Sequence, residues 1–155
     1  KWLTYPSRQE LPLLAESAQA TLKDIGIEVD INCTADNNSV LEDPTAWDVY
    51  AMANVQAPTG DPEYWFTVFA TSDATKNSGK YSSAKLDELE TQLSKEFDDD
   101  KRAELAVQMQ QTILDDNAFI FCSFLKMSMI SRSNVTGYES HACDYYQVTA
   151  DLDIN

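Results

Sequence analysis

The sequence predicts an α/β domain: a mixed sheet flanked by helices. Three observations point there. Strand, helix and strand succeed one another within the first 33 residues; an apolar strand at 47–55 runs into a loop rich in proline and glycine; and two amphipathic helices follow between 82 and 117. Strand–helix–strand at this spacing favours parallel pairing with a right-handed crossover.

The first strand is Trp2–Tyr5, stopped by Pro6. The helix "ELPLLAESAQATLKDIG" carries Leu11, Leu14, Ala15, Ala18, Leu22 and Ile25 at helical spacing. Pro12 suits its first turn and Gly26 its end. "IEVDINC" then alternates Ile27, Val29, Ile31 and Cys33, a period-two strand. Residues 34–46 read as a polar loop. "WDVYAMANV", 47–55, is a strand whose second half is apolar throughout, as in a strand covered on both faces.

Next comes "NVQAPTGDPEYWF". Asp61 is a good N-cap and Pro62 a good first helical residue, so 63–70 reads as a short helix. Residues 71–82 are a loop. Leu86, Leu89, Leu93 and Phe97 make the stripe of one helix. Leu105, Ala106, Met109, Ile113 and Leu114 make the stripe of the next, and the acids 98–100 sit at its N-terminus, where the helix dipole favours them. "AFIFCSFL" and "KMSMISR" read as strands, "NVTGYES" as a turn around Gly137, and the tail ends in a short strand. No linker divides the chain, which reads as one domain.

Composition excludes several functions. Twenty-six acids against 11 Lys and Arg give a net charge of −15, and a nucleic-acid binder needs a basic patch. No apolar run approaches the ~18 residues of a membrane span. The three cysteines form no CxxC pair. Cys33 and Cys122 fall in apolar strands, where a free thiol packs as a small buried hydrophobe; Cys143 lies in a polar loop. The sequence has no GxSxG, GxGxxG, Walker A or HExxH motif. The single histidine, His141, sits in "GYESHACDYY". Its two readings are an exposed loop histidine and a lone metal or ligand contact. Cys143, His141 and Asp144 are near neighbours, the only hint of a thiol or metal hydrolase, and adjacency alone supplies neither geometry nor a lowered thiol pKa. No catalytic residue is assigned.

An ordered set of segments is more informative: "LTYPSRQELPLLAESAQATLKDIGIEVDI", "WDVYAMANVQAPTGDPEYWF", "SGKYSSAKLDEL", "KRAELAVQMQQTILDDNAFIFCSF" and "NVTGY". Over almost the whole chain it resembles the C-terminal lobe of the family 5 extracellular solute-binding proteins, the peptide, nickel and opine receptors of bacterial ABC importers. The resemblance implies one lobe, residues 1–155, of a type II, clamp-like periplasmic binding protein, with N-terminal lobes, signal and membrane anchor outside this chain. The start at Lys1, within a strand-like run, fits an excised piece. It further implies an extracytoplasmic, monomeric receptor, anchored as a lipoprotein or free in the periplasm, that delivers its ligand to an ABC permease.

Peptide receptors of this family place a tryptophan and then an aspartate before "GDP", the aspartate pairing with the peptide amine. Those places hold Val55 and Pro58 here. "AP" before "DP" is closer to the nickel receptors, some of which add a histidine from a loop near the C-terminus, matching His141. The resemblance therefore implies capture of nickel, as a complex with a small chelator such as histidine, with no resident cofactor. The alternative is an oligopeptide or dipeptide ligand. Asn54, Gln56 and Thr59 are the candidate cleft residues and His141 the candidate metal contact; Tyr145 and Trp65 are weaker candidates.

Overall fold

The computed structural model describes residues 1–126, 128–141 and 148–155. It groups into two compact units, Lys1–Asn54 and Val55–Asn155.

The first unit is built on a parallel sheet. β1 (Trp2–Thr4) lies between β2 (Ile31–Cys33) and β3 (Val49–Tyr50). Leu3 faces Asn32 on one side and Tyr50 on the other. Helix α1 (Glu10–Lys23) connects β1 to β2 and packs on both. Its Leu11 and Ala15 are buried with Leu3, whereas Ile25, read as part of the stripe, lies past the helix end and is exposed. Gly26 reverses the chain with φ +81°, which costs glycine little, and the Gly26 and Ile27 amides bond back to the Lys23 and Leu22 carbonyls.

Both outer strands are shorter than the sequence predicts. The central strand is the reason: it offers three residues before Tyr5 and Pro6, and proline has no N–H to extend a ladder. The predicted 27–33 strand is thus a ladder only at 31–33, and Cys33 is exposed rather than buried. The predicted 47–55 strand pairs only at Val49 and Tyr50. Within the predicted loop 34–46 a one-turn helix forms, α2 (Asn37–Leu41), where Ser39 donates to the Asp36 carboxylate and the Asp36 amide to the Thr34 hydroxyl.

The second unit is helical with a small ribbon. α3 (Glu63–Trp65) runs into a π-helical turn, Phe66–Ala70. α4 (Ala84–Leu93) and α5 (Asp99–Asp115) pack together, burying Leu86, Leu89, Leu93, Ala106, Met109 and Ile113. Their starts follow the capping rule: Ser83 accepts from the Leu86 amide and Asp98 from the Lys101 amide. Phe97, beyond the end of α4, and Leu114, off the seam of α5, are exposed despite their places in the predicted stripes. Asn77 organises the loop before α4. It is buried, donates to the carbonyls of Thr71 and Tyr81 at 3.1 and 2.6 Å, and accepts from the Tyr81 amide at 3.0 Å. β4 (Val135–Thr136) and β5 (Asp153–Ile154) pair antiparallel.

The predicted strands at 118–132 do not form among the described residues. Their period-two pattern is nevertheless visible at the start. Phe119 and Phe121 lie against Trp65, at 5.3 and 5.6 Å between ring centres, while Ile120 between them is exposed. Alternation orients side chains, but a strand also needs a neighbouring ladder, and among the described residues none runs alongside. Cys122 is accordingly exposed, again against expectation.

Candidate functional site

Each candidate is described within its own unit. Asn54 is the last residue of the first unit and is exposed. The backbone just before it is held by Tyr5, whose hydroxyl accepts from the Ala53 amide at 3.0 Å and donates to the Ala53 carbonyl at 3.3 Å. One phenol thus takes both places a ladder partner would have filled. Around it, Tyr5, Tyr50 and Trp47 make an aromatic group with ring centres 6.4 and 6.2 Å apart. Asn37 donates to the Tyr50 hydroxyl at 3.0 Å, and burial and the neighbouring Tyr5 push the Tyr50 phenol above its usual value. Tyr5 follows the carboxyl end of β1 and Tyr50 is the last residue of β3, the end at which open parallel sheets place ligands. Sequence reading missed this group because Tyr5, Asn37 and Tyr50 meet only after the sheet has formed.

The loop that follows belongs to the second unit. Gln56 is half-buried and Thr59 exposed. Residues 57–60 form a turn with Pro58 at its second position, closed by the Gly60 amide bonding to the Ala57 carbonyl at 3.0 Å. Gly60 leaves it with φ +84°. At the loop's exit, Asp61 does more than the predicted cap. Its Oδ1 accepts from the Glu63 amide at 2.9 Å, and both its oxygens accept from Arg102 Nη2 at 2.8 and 2.7 Å. The same nitrogen donates to Glu63 at 2.8 Å, and Arg102 Nη1 donates to the Leu93 and Glu96 carbonyls, each at 2.8 Å. Burial works to raise the Asp61 carboxyl, but the Glu63 amide and the Arg102 guanidinium outweigh it and hold it below the usual carboxylate value. Hydrogen bonds to Glu63 and Asp61 raise the guanidinium in turn. Sequence reading missed Arg102, which is 41 residues from Asp61 and looks like one more charge on a solvated helix.

His141 lines a cavity of about 180 Å³ with Gly137, Glu139, Thr149 and Asp151. The chain reaches this arrangement through the β4–β5 ribbon. Gly137 follows β4 with φ +73°, and a Cβ there would collide with the Asp151 carbonyl, so the two segments meet closely only because residue 137 is glycine. Its lining residues thus include a histidine, two acids and a threonine. Among the described residues, no group of three or more His, Cys, Asp or Glu side chains lies close enough to hold a metal ion alone. Tyr145, Cys143 and Asp144 lie outside the described residues. Trp65 is a core residue, 8% exposed and ringed by Phe66, Phe69, Phe119 and Phe121.

No protein-family model matches the chain. It is 27% identical to the nickel-binding protein NikA of Staphylococcus aureus over 139 residues, 90% of this chain and 28% of that protein's length. The structure of S. aureus NikA in complex with Ni(L-His)2 matches the fold with a TM-score of 0.77 at 23% identity, over 99% of this chain and 33% of the other. A nickel ABC transporter protein of Bacillus halodurans matches at 0.70 and 30% identity, over 76% and 25%. AppA of Clostridium difficile, assigned as a peptide-binding protein, matches at 0.63 and 30%, over 74% and 24%. The resemblance read from the sequence therefore holds: the chain is homologous to NikA, and its structural neighbours are family 5 solute-binding proteins of ABC transporters. It spans about a third or less of their lengths. The α/β fold read from the sequence holds as well. Among the described residues, no helix is long and apolar enough to cross a membrane.

Proposed function

We propose that this chain is the C-terminal lobe of an extracytoplasmic receptor that captures nickel as a small-molecule chelate and delivers it to an ABC permease. The observation that carries the ligand is His141 in the wall of the Gly137–Asp151 cavity. A neutral imidazole is a natural nickel donor. One histidine in the whole chain leaves most of the coordination shell to the chelator, which suits a preformed complex better than a bare ion. Glu139 and Asp151 line the same cavity, and a carboxylate there can accept hydrogen bonds from a chelator's amino groups. The nickel-binding relatives support the same reading. Asn54, Gln56, Thr59 and Tyr145 would contact the ligand's polar groups, and closure around the ligand, not bond chemistry, would be the working step.

The second reading is a peptide receptor. The likeness to AppA favours it. Pro58 weighs against recognition of a free peptide amine, since it stands where peptide receptors of the resemblance carry an acid. A thiol or metal hydrolase has no support from the relatives, which are binding proteins.

His141→Ala tests the ligand assignment. Removing a coordinating imidazole should weaken nickel–histidine binding well over tenfold, about 1.4 kcal/mol or more. An unchanged affinity makes His141 an exposed loop residue.

A further inference from the structure

We propose that Arg102 is the positioning residue of the ligand loop: from α5 it grips Asp61 and Glu63 at the loop's exit while its other amino group grips the carbonyls that end α4. This rests on the reading of Gln56–Thr59 as a ligand-contacting loop.

The geometry assigns the role. Thr59 and Gly60 are exposed at the tip of the loop, where the Gly60 amide bonds to the Ala57 carbonyl. A turn of that kind opens easily unless its flanks are fixed. The carboxylate directly after Gly60 is held by an arginine only 16% exposed, at distances typical of charge-assisted bonds. Arginine is required by the shape of the contact. One end of the planar fork reaches two carboxylates and the other two carbonyls, which a lysine ammonium cannot span. Asp61 therefore couples the turn to the α4–α5 junction, and a loop poised for its ligand loses less order on binding.

The experiment is amide hydrogen exchange on the receptor that carries this lobe, read at Gly60 and in the interior of α5. Arg102→Gln should speed Gly60 exchange by about tenfold or more while the Met109 and Ile113 amides keep their rates, and Arg102→Lys should restore the rate only in part. Nickel–histidine affinity, measured in parallel in the receptor that carries this lobe, should fall at least about fivefold with the far-UV spectrum unchanged. Unchanged exchange at Gly60 overturns the proposal, and so does faster exchange spread through α4 and α5, which would make Arg102 a helix-end cap alone. Should Arg102→Gln fail to fold, Asp61→Asn is read by the same criteria. If the wild-type receptor binds no nickel–histidine, the ligand reading fails while Gly60 exchange still decides the clamp.

Discussion

Asp61 shows how one residue can be read correctly and incompletely. Its helix-capping role follows from the Asp-Pro pair and is observed at the Glu63 amide. The bond to Arg102 could not be read, because side chains 41 positions apart meet only through packing of α5 beside the loop. The pair also makes a pH prediction. The Asp61 carboxyl is held below its ordinary value of 3.8 in the folded chain, so the stability it contributes is present above that pH and is lost as pH falls through the lower folded value. Asp61→Asn should therefore flatten the loss of stability below about pH 4. Urea midpoints measured along the acid limb check it; equal slopes in the two proteins would mean that Asp61 is not charged-and-paired in the fold. His141 and Cys33 mark two other limits. For His141 the sequence left two readings open, and the structure puts the residue in the wall of the Gly137–Asp151 cavity. For Cys33 a strand pattern implied burial, but an edge strand with one covered face leaves the thiol outside.

At the scale of elements, the helices were legible and the strands less so. Helix identity is carried locally by spacing and caps, so α1, α4 and α5 match their predicted stretches. Exposure went wrong where a stripe was extended past a helix end, at Ile25 and Phe97. Strand extent is set by the partner. β1 limits β2 and β3, and the described residues of 118–132 have the strand pattern without a ladder. The packing of α4 on α5 carries its own prediction. Met109 is fully buried while Leu114 on the same helix is half exposed. Met109→Ala should cost about 3 kcal/mol and Leu114→Ala less than about 0.5 kcal/mol, by chemical denaturation. Equal costs would mean that α5 faces α4 through a different stripe. Gly137 is the reverse case of the strands: its turn was legible, but the reason for glycine, the approach of the Asp151 carbonyl, belongs to the folded ribbon.

For the whole molecule, the sequence pointed to a receptor lobe, and its homology to NikA over 90% of the chain agrees. Among the described residues of the run 120–130, six large apolar side chains are exposed, Ile120, Phe121, Phe124, Leu125, Met129 and Ile130, more than a polar surface loop carries. The central claim is capture of a nickel chelate, and calorimetry tests it most directly. The receptor carrying this lobe is titrated with nickel(II) alone and with nickel(II) plus excess L-histidine. Saturable heat is expected with histidine present and much weaker heat without it. No heat in either titration would contradict it.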